Sequence, residues 1–181
     1  MKRYYALSAI GQDRPGIVAD VSGLIYESGG NLEDSSMTRL GEQFALLILL
    51  SGSGEEFEYR LSTGCKRMEW DKHLSIFLTP LETPEGRSKP KEITELYELT
   101  TTGFDRMGIV SQVTRLIADH GINIADMHTK ATPSPESGTP IFTMKILLEV
   151  PPKVSPQDLL EKLNRLGERL TIDISLKKCE G

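Results

Sequence analysis

A stretch of 22 residues occurs twice in this chain, and it constrains the fold more than any other feature. Residues 13–34 read DRPGIVADVSGLIYESGGNLED, and residues 105–126 read DRMGIVSQVTRLIADHGINIAD. The copies align without a gap, and 11 of the 22 positions are identical. Unrelated amphipathic helices share a pattern but not a sequence, so the match predicts a tandem repeat.

Each copy predicts an amphipathic helix. Its apolar residues follow the spacing i, i+1, i+4, i+7, i+8, which places them on one helical face. These residues are Ile17, Val18, Val21, Leu24 and Ile25, and then Ile109, Val110, Val113, Leu116 and Ile117. Asp13 and Asp105 are predicted to cap the helix start, with Pro15 in the first helical turn. Gly29 and Gly121 are predicted to end the helices in the left-handed conformation.

Two further residue types recur at the same spacing. Gly16 and Gly108 stand where each helix begins, and Asn31 and Asn123 stand where the next strand is expected to start. One interpretation is that these residues only form turns and caps. The other is that the glycines, which have no side chain, let the backbone come close to a ligand. The free N–H groups of a helix start would then attract an anionic group of that ligand.

The order of predicted elements is β-α-β-β-α-β in each half, which is the ferredoxin-like arrangement. The sequence therefore predicts an α+β protein with two such domains, each an antiparallel sheet with two helices on one face. Their predicted ranges are 1–81 and 93–181, with a linker at 82–92 that is rich in proline, glycine and charge.

Three local predictions depend on hydrophobic patterning and capping. The apolar run at 44–50 predicts a strand buried on both faces. Ser155 followed by Pro156 predicts a helix start. The alternating residues from Leu170 to Leu176 predict the last strand.

Composition and motifs exclude several classes of function. A net charge of −5 argues against nucleic-acid binding. The βαββαβ order also occurs in RNA-recognition modules. Those modules need exposed aromatic residues and basic groups on the central strands, a combination that this sequence does not show, so RNA binding is not predicted. The two cysteines, far apart, predict neither a disulfide nor a metal site and favour a reducing compartment. The sequence has no apparent catalytic constellation, metal site or cofactor motif, no secretory signal and no membrane span, so we predict a cytoplasmic non-enzyme.

The repeated segment resembles the ACT domain, a small ligand-binding regulatory module. The resemblance rests on Asp-Arg-Pro-Gly-Ile-Val followed by Gly-Gly-Asn-Leu in the first copy, and on Asp-Arg-Met-Gly-Ile-Val followed by Gly-Ile-Asn-Ile in the second. Two such domains without an attached enzyme resemble the family of the glycine cleavage system transcriptional repressor. The domain resemblance covers nearly the whole chain outside the predicted linker.

The resemblance implies where a ligand binds. ACT domains commonly pair side by side, and amino acids or similar small molecules bind near the loop between the first strand and the first helix, often between paired domains. The implied ligand-binding residues are Asp13, Arg14, Pro15, Gly16, Ile17, Val18, Asn31, Asp105, Arg106, Met107, Gly108, Ile109, Val110 and Asn123. Met107 departs from the usual proline, and the insertion at 133–138 is unusual, so the two sites need not be equally competent.

Two hypotheses of function follow. In the first, the chain is a homodimeric regulator that binds an amino acid and controls a protein partner, with a role in transcriptional regulation of amino-acid metabolism. In the second, it is a structural dimerisation or protein-interaction module without a metabolite ligand. Exposed strand edges and the frequency of two-fold dimers favour a homodimer under either hypothesis.

Overall fold

A computed structural model of the chain describes residues 2–82, 94–135 and 137–179. The chain divides into two compact units, Met1–Pro90 and Lys91–Gly181, each of which is described by itself. Positions 83–92 of the predicted linker lie outside the described residues. The domain ranges 1–81 and 93–181 stay predictions.

Each unit has the predicted order of four strands and two helices. The elements of the first unit are β1 (Lys2–Gln12), α1 (Ile17–Glu27), β2 (Asn31–Leu40), β3 (Gln43–Ser53), α2 (Glu55–Lys72) and β4 (Ser75–Leu81). Those of the second are β5 (Glu95–Phe104), α3 (Ile109–Asp119), β6 (Asn123–Pro133), β7 (Pro140–Val150), α4 (Pro156–Leu170) and β8 (Ile172–Lys178).

The two sheets have the same topology. The strand orders are β2-β3-β1-β4 and β6-β7-β5-β8, and every pairing is antiparallel. One face of each sheet packs against its helices, because every second residue of the central strands joins a core that also contains the helix stripes. The predicted α+β class and ferredoxin-like topology are confirmed.

The helix ends confirm some capping predictions and correct others. Gly29 and Gly121 have φ of 84° and 66°, as predicted for left-handed ends. Asp13 and Asp105, however, do not cap the helices: Gly16 and Gly108 occupy the N-cap positions, and no side chain caps either helix. These glycines are left-handed, with φ of 90° and 92°, a conformation that costs a residue with a Cβ about 1–2 kcal/mol.

Other capping and strand predictions had mixed outcomes. Pro15 precedes the N-cap and so lies outside the helical turn in which it was predicted. Ser155 is the N-cap of α4 as predicted, and its hydroxyl accepts a hydrogen bond from the Asp158 N–H. Leu170 is the last residue of α4 rather than part of the final strand, because its side chain extends the helical stripe that packs on the core.

The prediction that β3 is buried on both faces is wrong. Phe44, Leu46, Ile48 and Leu50 are buried against the helices, whereas Leu47 on the other face is 55% exposed. The helices of this unit therefore cover one face of its sheet only, which leaves the apolar side chain of Leu47 at the surface.

Thr101 is a polar residue in the core of the second unit, and it gives a stability prediction. The residue is fully buried, and its Oγ1 has no hydrogen-bond partner. A buried hydroxyl without a partner is costly, so Thr101→Val should stabilise this unit by about 1 kcal/mol. Native-state hydrogen exchange of the β5 amides measures the change. Thr100→Val, at a half-buried neighbouring position, is the control, and a destabilised Thr101→Val protein would contradict the prediction.

Candidate functional site

The predicted ligand-binding residues centre on two loops, which we call the first corner (residues 13–16) and the second corner (residues 105–108). Each corner joins the first strand of its unit to the first helix. The first helical hydrogen bond is donated by the Asp20 N–H to Gly16 in one unit and by the Gln112 N–H to Gly108 in the other. The three N–H groups between donor and acceptor therefore precede the helical ladder. Both glycines are exposed, so the corners are open.

Charged side chains in the first corner are paired with one another. Arg39 Nη1 lies 3.2 Å from Asp13 Oδ2, and Arg14 Nη2 lies 2.7 Å from Asp20 Oδ2. Lys72 Nζ also lies 3.6 Å from the Asp20 carboxylate. The hydrogen bond from Arg14 lowers the pKa of the Asp20 carboxyl below its usual value. Both charges of the repeated Asp-Arg pair thus have partners within the unit.

The second corner lacks those partners. At the positions that correspond to Asp20 and Arg39, the second unit has Gln112 and Ala131. Asp105 and Arg106 are exposed, and neither forms an ion pair with another residue in the described ranges. An anionic and a cationic group therefore stand side by side in sequence at this corner, both open to an external partner.

A cleft of about 700 Å³ opens next to the second corner. Phe104, the residue directly before Asp105, lines it together with Ile141 and residues from the end of α4 and the start of β8. The volume is within the range of small-molecule sites in proteins. Thus one corner combines unpaired charges with an adjacent cavity.

The two predicted asparagines lie far from the corners of their own units. Asn31 pairs with Ser51, which pairs with Tyr4 near the start of β1, whereas the first corner follows Gln12 at the end of that strand. Eight residues of strand correspond to about 26 Å. Asn123 lies at the matching end of the second sheet, where its Nδ2 donates a hydrogen bond of 2.7 Å to Glu149. A single unit therefore does not bring its asparagine and its corner together.

Asn31 belongs to a polar cluster at that distant end. Glu33 accepts hydrogen bonds from Lys2 Nζ and from the Ser51 hydroxyl, at 2.8 Å and 2.5 Å. The bond from Lys2 is the largest contribution, followed by those of Ser51 and Asn31, and together they lower the pKa of the Glu33 carboxyl to about 2. The cluster thus keeps Glu33 ionised and close to Asn31.

The remaining predicted residues divide by burial. Ile17 and Ile109 are buried and anchor the helix starts in the two cores. Val18 is 47% exposed and Met107 fully exposed, so both are accessible from solvent at the corners; Pro15 is exposed and Val110 half-buried. The sequence analysis did not identify Arg39 and Asp20 as part of the site. A signal was present, because the matching positions of the second copy hold Ala131 and Gln112 instead.

The described residues hold no group of three or more side chains suited to a metal ion. The ring nitrogens of His120 contact the Leu116 carbonyl oxygen and Lys162 Nζ. Within the described ranges, no helix is both long enough and apolar enough to cross a membrane.

Models of the ACT domain match residues 4–67 and 97–168, that is, most of both units. The chain belongs to the ACT-domain family. Each βαββαβ unit is thus one ACT domain, and the resemblance inferred from the repeated segment is confirmed.

Relatives of the tandem and of the single domain are both found. The glycine cleavage system transcriptional repressor of Escherichia coli (strain K12) is 29% identical over 134 residues, covering 74% of this chain and 67% of the repressor. A UPF0237 protein of Methanopyrus kandleri is 41% identical over 66 residues, which are 36% of this chain and 69% of that protein. A protein of unknown function from Galdieria sulphuraria has a crystal structure with a TM-score of 0.79 and 28% identity, covering 99% of this chain and 100% of that one.

Proposed function

We propose that this tandem ACT protein is a non-enzymatic regulator that binds an amino acid and controls a partner protein. The observation that carries the proposal is the second corner, where Asp105 and Arg106 lack ion-pair partners among the described residues and a cleft adjoins the loop. Its helix start offers main-chain N–H groups to a carboxylate.

The charges of the second corner match those of a zwitterion. The Asp105 carboxylate would accept hydrogen bonds from the ammonium group of the amino acid, and Arg106 would donate to its carboxylate alongside the main chain. In the first corner the equivalent groups are engaged by Arg39 and Asp20, and a ligand would have to displace them. The second corner is therefore the stronger proposed site. The first corner is a weaker one that contains Asp13, Arg14, Pro15, Gly16, Ile17 and Val18.

Pairing between domains would bring an asparagine to a corner. Every residue of β2 is exposed, so this edge strand has unpaired backbone groups available for another chain. Antiparallel pairing of β2 with the β2 of a second copy would place Asn31 beside the far end of the partner strand. That end leads through the turn at Gly41 to the hairpin beside the first corner, since Asp13 N–H donates to the Glu42 carbonyl. This geometry supports a homodimer in which the first corner, the weaker of the two proposed sites, would include Asn31 of the partner subunit.

The relation to the glycine cleavage system transcriptional repressor supports a role in transcriptional regulation of amino-acid metabolism. We propose that this control acts through a protein partner, because a chain of net charge −5 has no basic footprint for DNA. Ligand binding regulates the partner only if one conformation or assembly binds the amino acid more tightly than the other does.

A thermal-shift screen of the common amino acids tests the proposal. A ligand at about 100 times its Kd should stabilise the chain by about 2.7 kcal/mol, which is a readily measured rise in Tm. Glycine amide and acetate, each of which lacks one charge of a zwitterion, serve as matched controls and should give no comparable rise. If no amino acid shifts Tm, the sensor hypothesis fails.

A structural module without a metabolite ligand is the alternative function. The observation that favours it is the uncovered face of the first sheet, where the apolar side chains of Leu47 and Phe77 are 55% and 64% exposed. This hypothesis predicts a stable assembly whose Tm depends on protein concentration and on no amino acid.

A further inference from the structure

The uncovered faces of the two sheets differ in chemistry although the two folds are the same. In each unit we define the open face as the twelve side chains that the central rows of the sheet present away from the helices. In the first unit these are Ala6, Ser8, Ile10, Asp34, Ser36, Thr38, Ala45, Leu47, Leu49, Ser75, Phe77 and Thr79. Only Asp34 among them is charged, and it lies on the edge strand β2.

The corresponding positions of the second unit are strongly charged. They are Glu98, Thr100, Thr102, Asp126, His128, Lys130, Thr143, Lys145, Leu147, Asp173, Ser175 and Lys177. Six of these twelve are formally charged when His128 is counted as neutral, against one in the first unit. Leu47 corresponds to Lys145 and Phe77 to Ser175. The same structural position therefore carries a surface with six charges in one unit and a surface with a single charge, Asp34, in the other.

The open face of the first unit also has relief. Leu47 and Phe77 both pair with Ser8 and flank it in one row across the sheet. Ile10, two residues along β1, is 46% exposed. The small side chains of Ala6 and Ser8, on β1, form a low strip between the larger residues of β3 and β4. Such a surface of ridges and a hollow suits packing against another sheet.

We propose that the open face of the first unit binds the same face of a second copy about a two-fold axis. A partner for this surface has to be largely uncharged, because burying an unpaired charge is costly. The open face of the second unit, with six charges, does not meet that condition. The same face of another copy does, and a two-fold interface needs only one such self-complementary patch. Asp34, at the edge, would remain at the solvated rim.

The area of the open face determines how strongly two copies are expected to associate through it. Four strands about 4.8 Å apart and about five residues long cover a flat area of about 320 Å². A stable interface buries about 800 Å² of accessible surface per partner. The pair of sheets should therefore associate weakly and in a concentration-dependent manner. It is distinct from edge-to-edge pairing through β2, and the two contacts can form in the same assembly.

Sedimentation equilibrium of the full chain over a range of concentrations tests the interface. Leu47→Lys and Phe77→Ser install the residues of the second unit at two central positions. Each should raise the dissociation constant of the face contact about tenfold or more, because the change occurs on both sides of the axis. The control is Tyr26→Lys, on α1, where an 81% exposed side chain lies away from the open face. It should leave the dissociation constant unchanged.

Two results would overturn the proposal. One is a wild-type chain that shows no concentration-dependent step up to about 1 mM, a concentration at which even a contact with a millimolar Kd would be half-formed. The other is an assembly that both Leu47→Lys and Phe77→Ser leave intact while circular dichroism shows both variants folded; edge-to-edge pairing alone predicts that outcome. The measurement needs no ligand, so its failure is separate from failure of the amino-acid screen.

Discussion

Asp105→Asn combined with Arg106→Gln is expected to weaken amino-acid binding by about 1,000-fold. Both residues lack ion-pair partners among the described residues, so both charges are available to a ligand. A hydrogen bond to a charged group contributes about 1.5–3 kcal/mol, and the double variant removes two charges that the zwitterion would contact. Both substitutions keep a polar side chain, and both positions are exposed, so the fold should be unaffected.

The first corner supplies a matched control. Asp13→Asn combined with Arg14→Gln makes the same chemical change at the corresponding positions of the repeat, where the charges are engaged by Arg39 and Asp20. This variant should leave the affinity for the amino acid nearly unchanged, because the charges that it removes are already engaged within the first corner and the stronger proposed site is the second corner. Isothermal titration calorimetry with the amino acid found in the thermal screen measures both. Equal losses at the two corners would show that the unpaired charges do not select the site.

Adding ion-pair partners to Asp105 and Arg106 should make the second corner resemble the first. Gln112 and Ala131 occupy the positions of Asp20 and Arg39. In Gln112→Asp combined with Ala131→Arg, the new side chains are placed to pair with Arg106 and Asp105. The ligand would then compete with internal ion pairs, and its affinity should fall toward that of the first corner. This variant changes the availability of the corner charges and leaves Asp105 and Arg106 themselves in place.

Much of the fold could be predicted because periodicity and repetition report on it directly. The strand starts at Asn31 and Asn123 match the structure. The repeated segment imposes the same topology twice, so the same prediction applies to both halves. The N-cap residues could not be predicted in this way. Asp13 has a side chain suited to an N-cap, but the left-handed Gly16 occupies that position. Residue type alone does not show which of two neighbours adopts a positive φ.

The environment of β3 could not be predicted for a different reason. A continuous apolar run such as 44–50 indicates that both faces of a strand avoid water. The pattern does not say whether the second face is covered by the chain itself or by another molecule. In the structure the helices cover only the Phe44 and Leu46 side, and Leu47 is exposed. The failed prediction and the proposed sheet-to-sheet contact therefore concern the same apolar residues of β3.

The candidate site depends on relations between residues that are distant in sequence. The Asp13–Arg39 and Arg14–Asp20 pairs distinguish the corners, yet no local motif contains both members of the first pair. Comparing the repeats position by position would have revealed the change from Arg39 to Ala131. The separation of Asn31 from the first corner follows from strand register, which the repeated segment alone does not specify.

Gly103→Ala is expected to destabilise the second ACT domain by about 3 kcal/mol. A Cβ at this position would lie 2.9 Å from Ile172 Cα and 2.9 Å from the Thr171 carbonyl oxygen, and 2.7 Å from Ile172 Cγ2. Because two of these contacts are backbone atoms, β5 and β8 would have to separate where they pair. Overpacking of this kind typically costs 1–3 kcal/mol, and a backbone contact belongs at the upper end.

The corresponding glycine of the first domain provides the comparison that tests this reasoning. A Cβ on Gly11 would lie 2.6 Å from Leu74 Cδ2, the end of a flexible side chain, while the nearest backbone atom, the His73 carbonyl oxygen, is 3.3 Å away. Rotation of Leu74 relieves the closer contact, so Gly11→Ala should cost about 1 kcal/mol. Native-state hydrogen exchange of the β5 and β1 amides reports each domain separately. Equal losses of stability in the two domains would mean that the conformational freedom of glycine, rather than the contact with β8, determines the loss. A Gly103→Ala domain as stable as wild type would show that β5 and β8 need not approach so closely.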